Sequence, residues 1–402
     1  MCLKISLITL VLATTILSCF CEINRHIECT VYADSIDQEN KHNLNVIYVT
    51  ATDDHDKIHY LWSSYVVPSV IISRTSKDTT LEKIDFEKLR LFQSGAIQFS
   101  KNPLSSTGFT ISELWQNSYE KDSSDINEIS EVVPLALENF QWNNVTNSSI
   151  SCSETFAHIN LVSSGDETVF SKGGTFEIEF SISGKEEAAS NYPHLIYSGN
   201  STQLKVVFNK FYSNSSRIRY AMEVSVFSPL AKTCDQDDCE PVVAKSVSDE
   251  FSPGIFSDIT LLPPCSQDSF LSWRPVAYTS NEPSVANSTD AKITSKCSKS
   301  VERHIQSIAE LFFNDLGNSS VSKFNMTFGT KGDGFYSKTE YTMWSFMAGV
   351  GSSVGFKLSA TALIFLCVGL GALSVFLISG LIFTAVKKCR RKDELLLSDA
   401  VN

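Results

Sequence analysis

Two hydrophobic segments, one at each end, constrain this chain more than any other feature. The first spans residues 3–18, with Lys4 ahead of the apolar run and Cys19-Phe20-Cys21 behind it. A basic start, an apolar stretch and small residues at the −3 and −1 positions read as a secretory signal peptide over residues 1–21. The second segment, Leu358 to Val386, is 29 residues long and carries no charge. About 20 apolar residues suffice to cross a bilayer, so residues 357–386 are read as a single transmembrane helix. A core helix of that length would show a polar face. Lys387, Lys388, Arg390, Arg391 and Lys392 follow at once, and such a basic cluster stays on the cytoplasmic side. The expected topology is type I: a luminal or extracellular domain, one span, and a cytosolic tail over residues 387–402.

The domain between the two segments is more acidic than the whole-chain net charge of −12. Setting aside Lys4, Lys357 and the tail's five basic and three acidic residues leaves 26 basic against 42 acidic side chains, a net −16. A nucleic-acid ligand is excluded, because phosphate binding needs concentrated positive charge. An acidic lumen suits this composition, since partial protonation near pH 5 relieves self-repulsion.

The 11 cysteines divide by topology. Cys2, Cys19 and Cys21 leave with the signal, Cys367 is intramembrane and Cys389 faces the cytosol. Six remain in the domain: Cys29, Cys152, Cys234, Cys239, Cys265 and Cys297. An even number in an oxidising compartment points to three disulfides, with 15 connectivities open. Cys234 and Cys239 enclose Asp-Gln-Asp-Asp and could close a small loop. A zinc site is the alternative for that pair, but no neighbouring histidine or second pair completes it. Seven N-glycosylation sequons stand at Asn144, Asn147, Asn200, Asn214, Asn287, Asn318 and Asn325. Glycans are bulky and hydrated, so each acceptor belongs at the surface.

The domain reads as mainly β and sandwich-like. Phe176, Ile178, Phe180 and Ile182 alternate with polar residues through Ser183, and Ile218–Val226 does nearly the same. Asn45–Thr50, Ile58–Tyr65, Phe156–Val162, Leu204–Phe211 and Phe324–Phe328 are further strands. A period of two places one face on a core and one in water. Val301, Ile305, Ile308 and Phe312 recur instead at helical spacing, with Ser300 to cap and Gly317 to end one surface helix. Polar residues 119–130 and 143–153 suggest a boundary near residue 150, giving β-rich modules over residues 22–150 and 151–356.

No catalytic constellation emerges, and the sequence calls for no cofactor. Gly351-Ser352-Ser353-Val354-Gly355 matches a nucleophile-elbow pattern by letter, but it abuts the membrane span, and the pattern needs a strand before and a helix after. Asp53-Asp54-His55-Asp56 with His59 is the one acid-rich histidine cluster; it is read as a solvated turn leading into a strand, with metal binding as the alternative. Dispersed carboxylates single out no glycosidase pair, which is defined by spatial separation. The span holds no ionisable group of the kind that lines ion pathways. Cys367, Gly371 and Ser374 fall on one helical stripe that allows close helix packing; a plain lipid-facing anchor is the other reading. In the tail, Asp393, Leu396 and Leu397 fit the acidic dileucine pattern D-x-x-L-L, so a cytosolic sorting adaptor is the expected partner there. Cys389 is a candidate for palmitoylation.

Several strings resemble the glycosylated lysosomal membrane protein family. They are His59-Tyr-Leu-Trp-Ser-Ser64, Trp142-Asn-Asn-Val-Thr146, Ser248-Asp-Glu-Phe-Ser-Pro253, Trp273-Arg-Pro-Val-Ala-Tyr278, Phe324-Asn-Met-Thr-Phe-Gly329 and Trp344-Ser-Phe-Met-Ala-Gly-Val-Gly351. They occur in the family's order and span most of the luminal domain. The resemblance implies a non-enzymatic lysosomal glycoprotein of type I topology. It implies an accessory subunit for a multi-spanning major-facilitator transporter that exports dipeptides, shielded from lysosomal proteases by the glycosylated domain. Vertebrate members end in a tyrosine-based sorting signal, and this tail has no tyrosine. The competing reading is a cell-surface adhesion or receptor ectodomain.

Overall fold

The computed structural model describes residues 24–34, 44–121, 125–135, 137, 140–143, 149–164, 170–211, 217–229, 240–248, 254–263, 268–294, 298–300, 306–317, 319–332, 339–353, 368–369, 371 and 374–388. In chain order the strands are β1 (His26–Ala33), β2 (Asn45–Thr52), β3 (Asp56–Ser63), β4 (Ser69–Ser76), β5 (Leu81–Ile84), β6 (Ile97–Phe99), β7 (Ser105–Tyr119) and β8 (Ile129–Leu135). There follow β9 (Gln141–Trp142), β10 (Ile150–Cys152), β11 (Phe156–Ser164), β12 (Phe170–Ser183), β13 (Glu187–Ala188), β14 (Ile196–Tyr197), β15 (Ser201–Phe211) and β16 (Ile218–Pro229). The last are β17 (Glu240–Ser248), β18 (Gly254–Leu262), β19 (Ser269–Trp273), β20 (Val276–Tyr278), β21 (Ser288–Ile293), β22 (Ser298–Ser300), β23 (Ser319–Phe328) and β24 (Tyr341–Val350). Two short helices interrupt them, α1 (Phe86–Arg90) and α2 (Ile308–Asp315).

Most of the strands build two antiparallel sheets packed face to face, while β5–β6 and β13–β14 form separate two-stranded pairs. The first runs β1-β2-β3-β4-β7-β16-β23, with β8 beside the far half of β7 and β21 and β22 beyond β23. The second runs β11-β12-β15-β24, then β19-β18-β17, with β9 and β10 on the open side of β11. At one margin the pairing β20–β21 joins the sheets. At the other, Cys29 on β1 is bonded to Cys152 on β10.

The expected alternation explains the inner faces. Ile178 pairs with Leu161 and Val206 across the second sheet, and Phe180 with Ile159 and Leu204; all six are buried. Trp273 and Trp344 of the second sheet meet Phe324 and Phe328 of the first across the interior. Aromatic side chains bury about 150–250 Å² each, so this layer supplies most of the packing energy. Many buried positions are serines, and some of them pair across strands: Ser73 with Ser106 at 2.9 Å, and Ser228 with Ser320 at 3.3 Å.

Two expectations are corrected. The helix begins at Ile308 and not at Ser300, which lies in β22. Ser307 is its N-cap, accepting from the Glu310 backbone N–H at 3.0 Å while Glu310 Oε2 accepts from Gln306 N; a serine three residues ahead of a glutamate is a capping box. Gly317, at φ +82°, lies just past its end. Nor is it a surface helix. Ile308 to Phe313 are all buried, because the helix lies on the outer face of the first sheet, with Phe313 and Ala309 against Gly108. The side chain of Asp315 ties it to the loop after α1 through Ser94 and Gly95.

A division near residue 150 is not visible either. Residues 22–354 form one compact unit. Strand β7 pairs with β16 and β1 is bonded to β10, so the main core draws on residues from both sides of that position. In residues 355–402, residues 374–388 are helical and exposed. Among the described residues no helix is long and apolar enough to cross a membrane.

Candidate functional site

The acid-rich cluster Asp53–Asp56 forms the expected turn into β3, exposed at Asp54 and His55, but the side held by Asp53 and Asp56 is not open to a metal. Arg25 occupies it. The Arg25 guanidinium, 4% exposed, lies 3.1 Å from Asp53 and 2.6 Å from Asp56. It also donates to the Asn200 Oδ1 at 2.9 Å and the Ala51 carbonyl at 3.3 Å. Arg74 reaches the other oxygen of Asp56 at 2.7 Å. Burial pushes the Asp53 carboxyl up. The backbone N–H groups of Asp56 and His55 together with Arg25 outweigh that and hold it below the usual carboxylate range. The cation this cluster binds is therefore the protein's own. No group of three or more metal-ligating side chains occurs among the described residues.

This polar node joins the two sheets at one end of the sandwich. The Arg25 backbone N–H donates to Gly184 O at 2.7 Å, and the Tyr60 hydroxyl to Gly199 O at 2.9 Å. A side chain at residue 199 has no room: an added Cβ would stand 2.3 Å from Arg25 Cδ. Gly199→Ala is therefore expected to destabilise the domain by about 1–3 kcal/mol, the usual range for overpacking. Urea denaturation of the two proteins measures it, and an unchanged midpoint would refute the close approach.

His59 points to the opposite face of β3. It is fully buried, with Tyr48 Oη 2.6 Å from Nδ1, Thr75 Oγ1 2.9 Å from Nε2, and the Phe99 ring 4.8 Å away. Burial first, then Lys57, pushes its pKa down to about 3. It is a neutral core histidine.

Between the sheets, Val70, Phe109, Phe180, Leu204, Val224 and Phe346 line an apolar void of about 10 Å³, the space of one water at most.

Of the sequons, Asn144, Asn147, Asn214 and Asn318 lie outside the described residues. Asn200 stands in the turn before β15, half-buried, holding Arg25. Asn287 ends a 3₁₀ turn (Val285–Asn287), and its Nδ2 donates to the Glu282 carbonyl. Asn325 is mid-strand in β23, opposite Glu223 and half-buried. Cys234, Cys239, Cys265 and Cys297 lie outside the described residues, as do Cys367, Asp393, Leu396 and Leu397. Gly371 and Ser374 are helical and exposed. Gly351 follows β24 in a turn at φ +85°. Sequence reasoning missed Arg25 entirely. Its partners lie up to 175 positions away, and no local pattern marks it.

The sequence profile of the glycosylated lysosomal membrane protein family matches residues 45–391. The mouse glycosylated lysosomal membrane protein is 26% identical, covering 87% of this chain and 86% of its own length. The Xenopus laevis protein B is 24% identical over 86% and 87% respectively, and the bovine protein 26% identical over 92% and 91%. Among solved structures, a galactose mutarotase-like protein from Lactobacillus casei covers 75% of the chain at 8% identity with a TM-score of 0.24, too low to bear on function. With the profile matching most of its length, the chain belongs to the glycosylated lysosomal membrane protein family.

Proposed function

We propose that this protein is a single-pass type I glycoprotein of the lysosomal membrane, serving as a non-enzymatic accessory subunit. Its partner in this reading is a multi-spanning major-facilitator transporter that exports dipeptides, and its glycosylated luminal domain shields that partner from proteases. The observation that carries the reading is the family profile that matches residues 45–391. A closed sandwich bearing seven sequons suits covering better than catalysis. The membrane anchor is supported by residues 374–388, where Phe376, Leu377, Leu381 and Phe383 are each at least 69% exposed. A soluble domain rarely leaves such apolar surface bare. Ser379 and Thr384 donate back to carbonyls of their own helix, which suits hydrocarbon surroundings. The tail motif Asp393, Leu396 and Leu397 supplies the adaptor address.

Luminal contacts carry the association. Close packing in the membrane at Cys367, Gly371 and Ser374 is worth about 1–2 kcal/mol, roughly tenfold in affinity. Exchanging the span for an unrelated one is expected to leave the partner bound. Deleting residues 22–345 is expected to abolish binding and lower the partner's abundance, with recovery when lysosomal proteases are inhibited. Pull-down and quantitative blotting read both. A domain-less anchor that still protects the transporter would refute shielding, and steady-state residence at the plasma membrane would favour an adhesion or receptor role.

A further inference from the structure

We propose that Arg25 is a built-in stop for amino-terminal trimming: exopeptidases remove the residues before it and are halted where its side chain enters the sandwich. The inference needs the luminal fold alone and stands whether or not the transporter is the partner.

Strand β1 looks vulnerable. Among the described residues it pairs only with β2, and five of its eight residues are exposed. Chain termini and exposed edges are where proteolysis begins. Between Glu22 and Ala33 there is no proline to arrest an aminopeptidase by itself. Each cycle of such an enzyme adds one water across the first peptide bond and releases one amino acid, and it needs the terminal residues free and extended in its own cleft.

Three successive attachments oppose that. The Arg25 backbone N–H is held by Gly184 O at 2.7 Å, the Ile27 N–H by Glu154 O at 2.8 Å, and Cys29 by Cys152. Only the first carries a buried charge. Offering the Arg25 peptide bond to an enzyme means drawing the guanidinium away from Asp53, Asp56 and Asn200. Asp53 would then be left without its cation, and Asp56 with Arg74 alone, in a largely buried site, their side chains 13% and 11% exposed. Breaking one side of a buried ion pair is strongly unfavourable and lowers the population of the open form about a hundredfold to a thousandfold. When opening and closing are fast, cleavage follows that population.

The test uses the full-length glycoprotein in mild detergent, treated with a broad-specificity aminopeptidase and read by amino-terminal sequencing over time. The wild-type chain is expected to stop with Asn24 or Arg25 first. In Arg25→Ala the stop should move to Cys29, where the disulfide holds, with release of residues 25–28 at least a hundredfold faster. Arg25→Lys, which keeps the charge but not the fork of donors, should fall between them. Should Arg25→Ala fail to fold, the wild-type pattern decides alone. Trimming of the folded wild-type chain through to Cys29 would overturn the proposal and assign the protection to the disulfide.

Discussion

Replacing Cys29 and Cys152 together with serine is expected to cost the β-sandwich domain about 5 kcal/mol of unfolding free energy. The bond spans 123 positions, and in the chain-entropy account a loop of that size restricts the unfolded chain by about 5 kcal/mol. Domains of ordinary stability have about 5–15 kcal/mol in all, so the loss is a large share. The location adds to it. The bond links the outermost strand of one sheet to an outer strand of the other, at the margin away from the β20–β21 junction. Guanidinium denaturation of wild-type and doubly substituted proteins measures the difference. A loss under about 2 kcal/mol would mean that the Arg25 node and the sheet contacts already hold that margin shut.

The second large effect is a loss of stability in acid that comes from one side chain. His59 has a folded pKa lowered to about 3, and the unfolded value is about 6.5. Below the unfolded value the unfolded chain takes up a proton that the folded chain refuses, so stability falls as pH falls. The slope is about 1.4 kcal/mol per pH unit, or about 2 kcal/mol lost between pH 6.5 and pH 5. Tyr48, Thr75 and Phe99 surround the ring, with Lys57 on its own strand. The Tyr48 hydroxyl is itself pushed well above its usual range, by burial first and then by Tyr32 and Glu28. Asp53 has the same sign in a lower pH window. Its folded pKa is depressed, so its contribution is complete above the unfolded value of 3.8 and is lost only as pH falls through the folded value below that. At pH 5 Asp53 therefore stays ionised while the layer over His59 weakens. Urea midpoints at pH 7, 6 and 5 should decline for wild type and flatten for His59→Gln. An equal decline in both proteins would place the acid sensitivity elsewhere.

The clearest strands were legible because their polarity alternates. Ile218–Val226 and Phe176–Ser183 were both found, and the structure extends them to Pro229 and back to Phe170. Strand β7 escaped notice for the reverse reason. Its first six residues, Ser105 to Thr110, are all buried although four of them are serine or threonine. Three of those hydroxyls find partners within the fold, Ser106 on Ser73, Thr107 on the Phe227 carbonyl and Thr110 on the helix cap Ser307. A buried hydroxyl pair is invisible to a reading that equates polarity with water. The helix was recognised, but its start was displaced because Ser300 and Ser307 both offer a cap. Six cysteines pointed to three bonds without saying which, since pairing is a property of distant segments brought together. Arg25 is the extreme case: its charge is balanced by residues that adjoin it only once both sheets are closed.

Strand β24 lies at the centre of the second sheet, with β15 on one side and β19 and β20 on the other. It is also the last described strand in the chain. During synthesis, then, the two halves of that sheet wait as open edges until residues 341–350 emerge. Exposed edges of this kind invite mispairing, and pairings so distant in sequence form slowly. The keystone of the second sheet is thus also its last piece to be made. Nonsense or frameshift alleles that spare the first 340 codons would still yield a sheet in two parts.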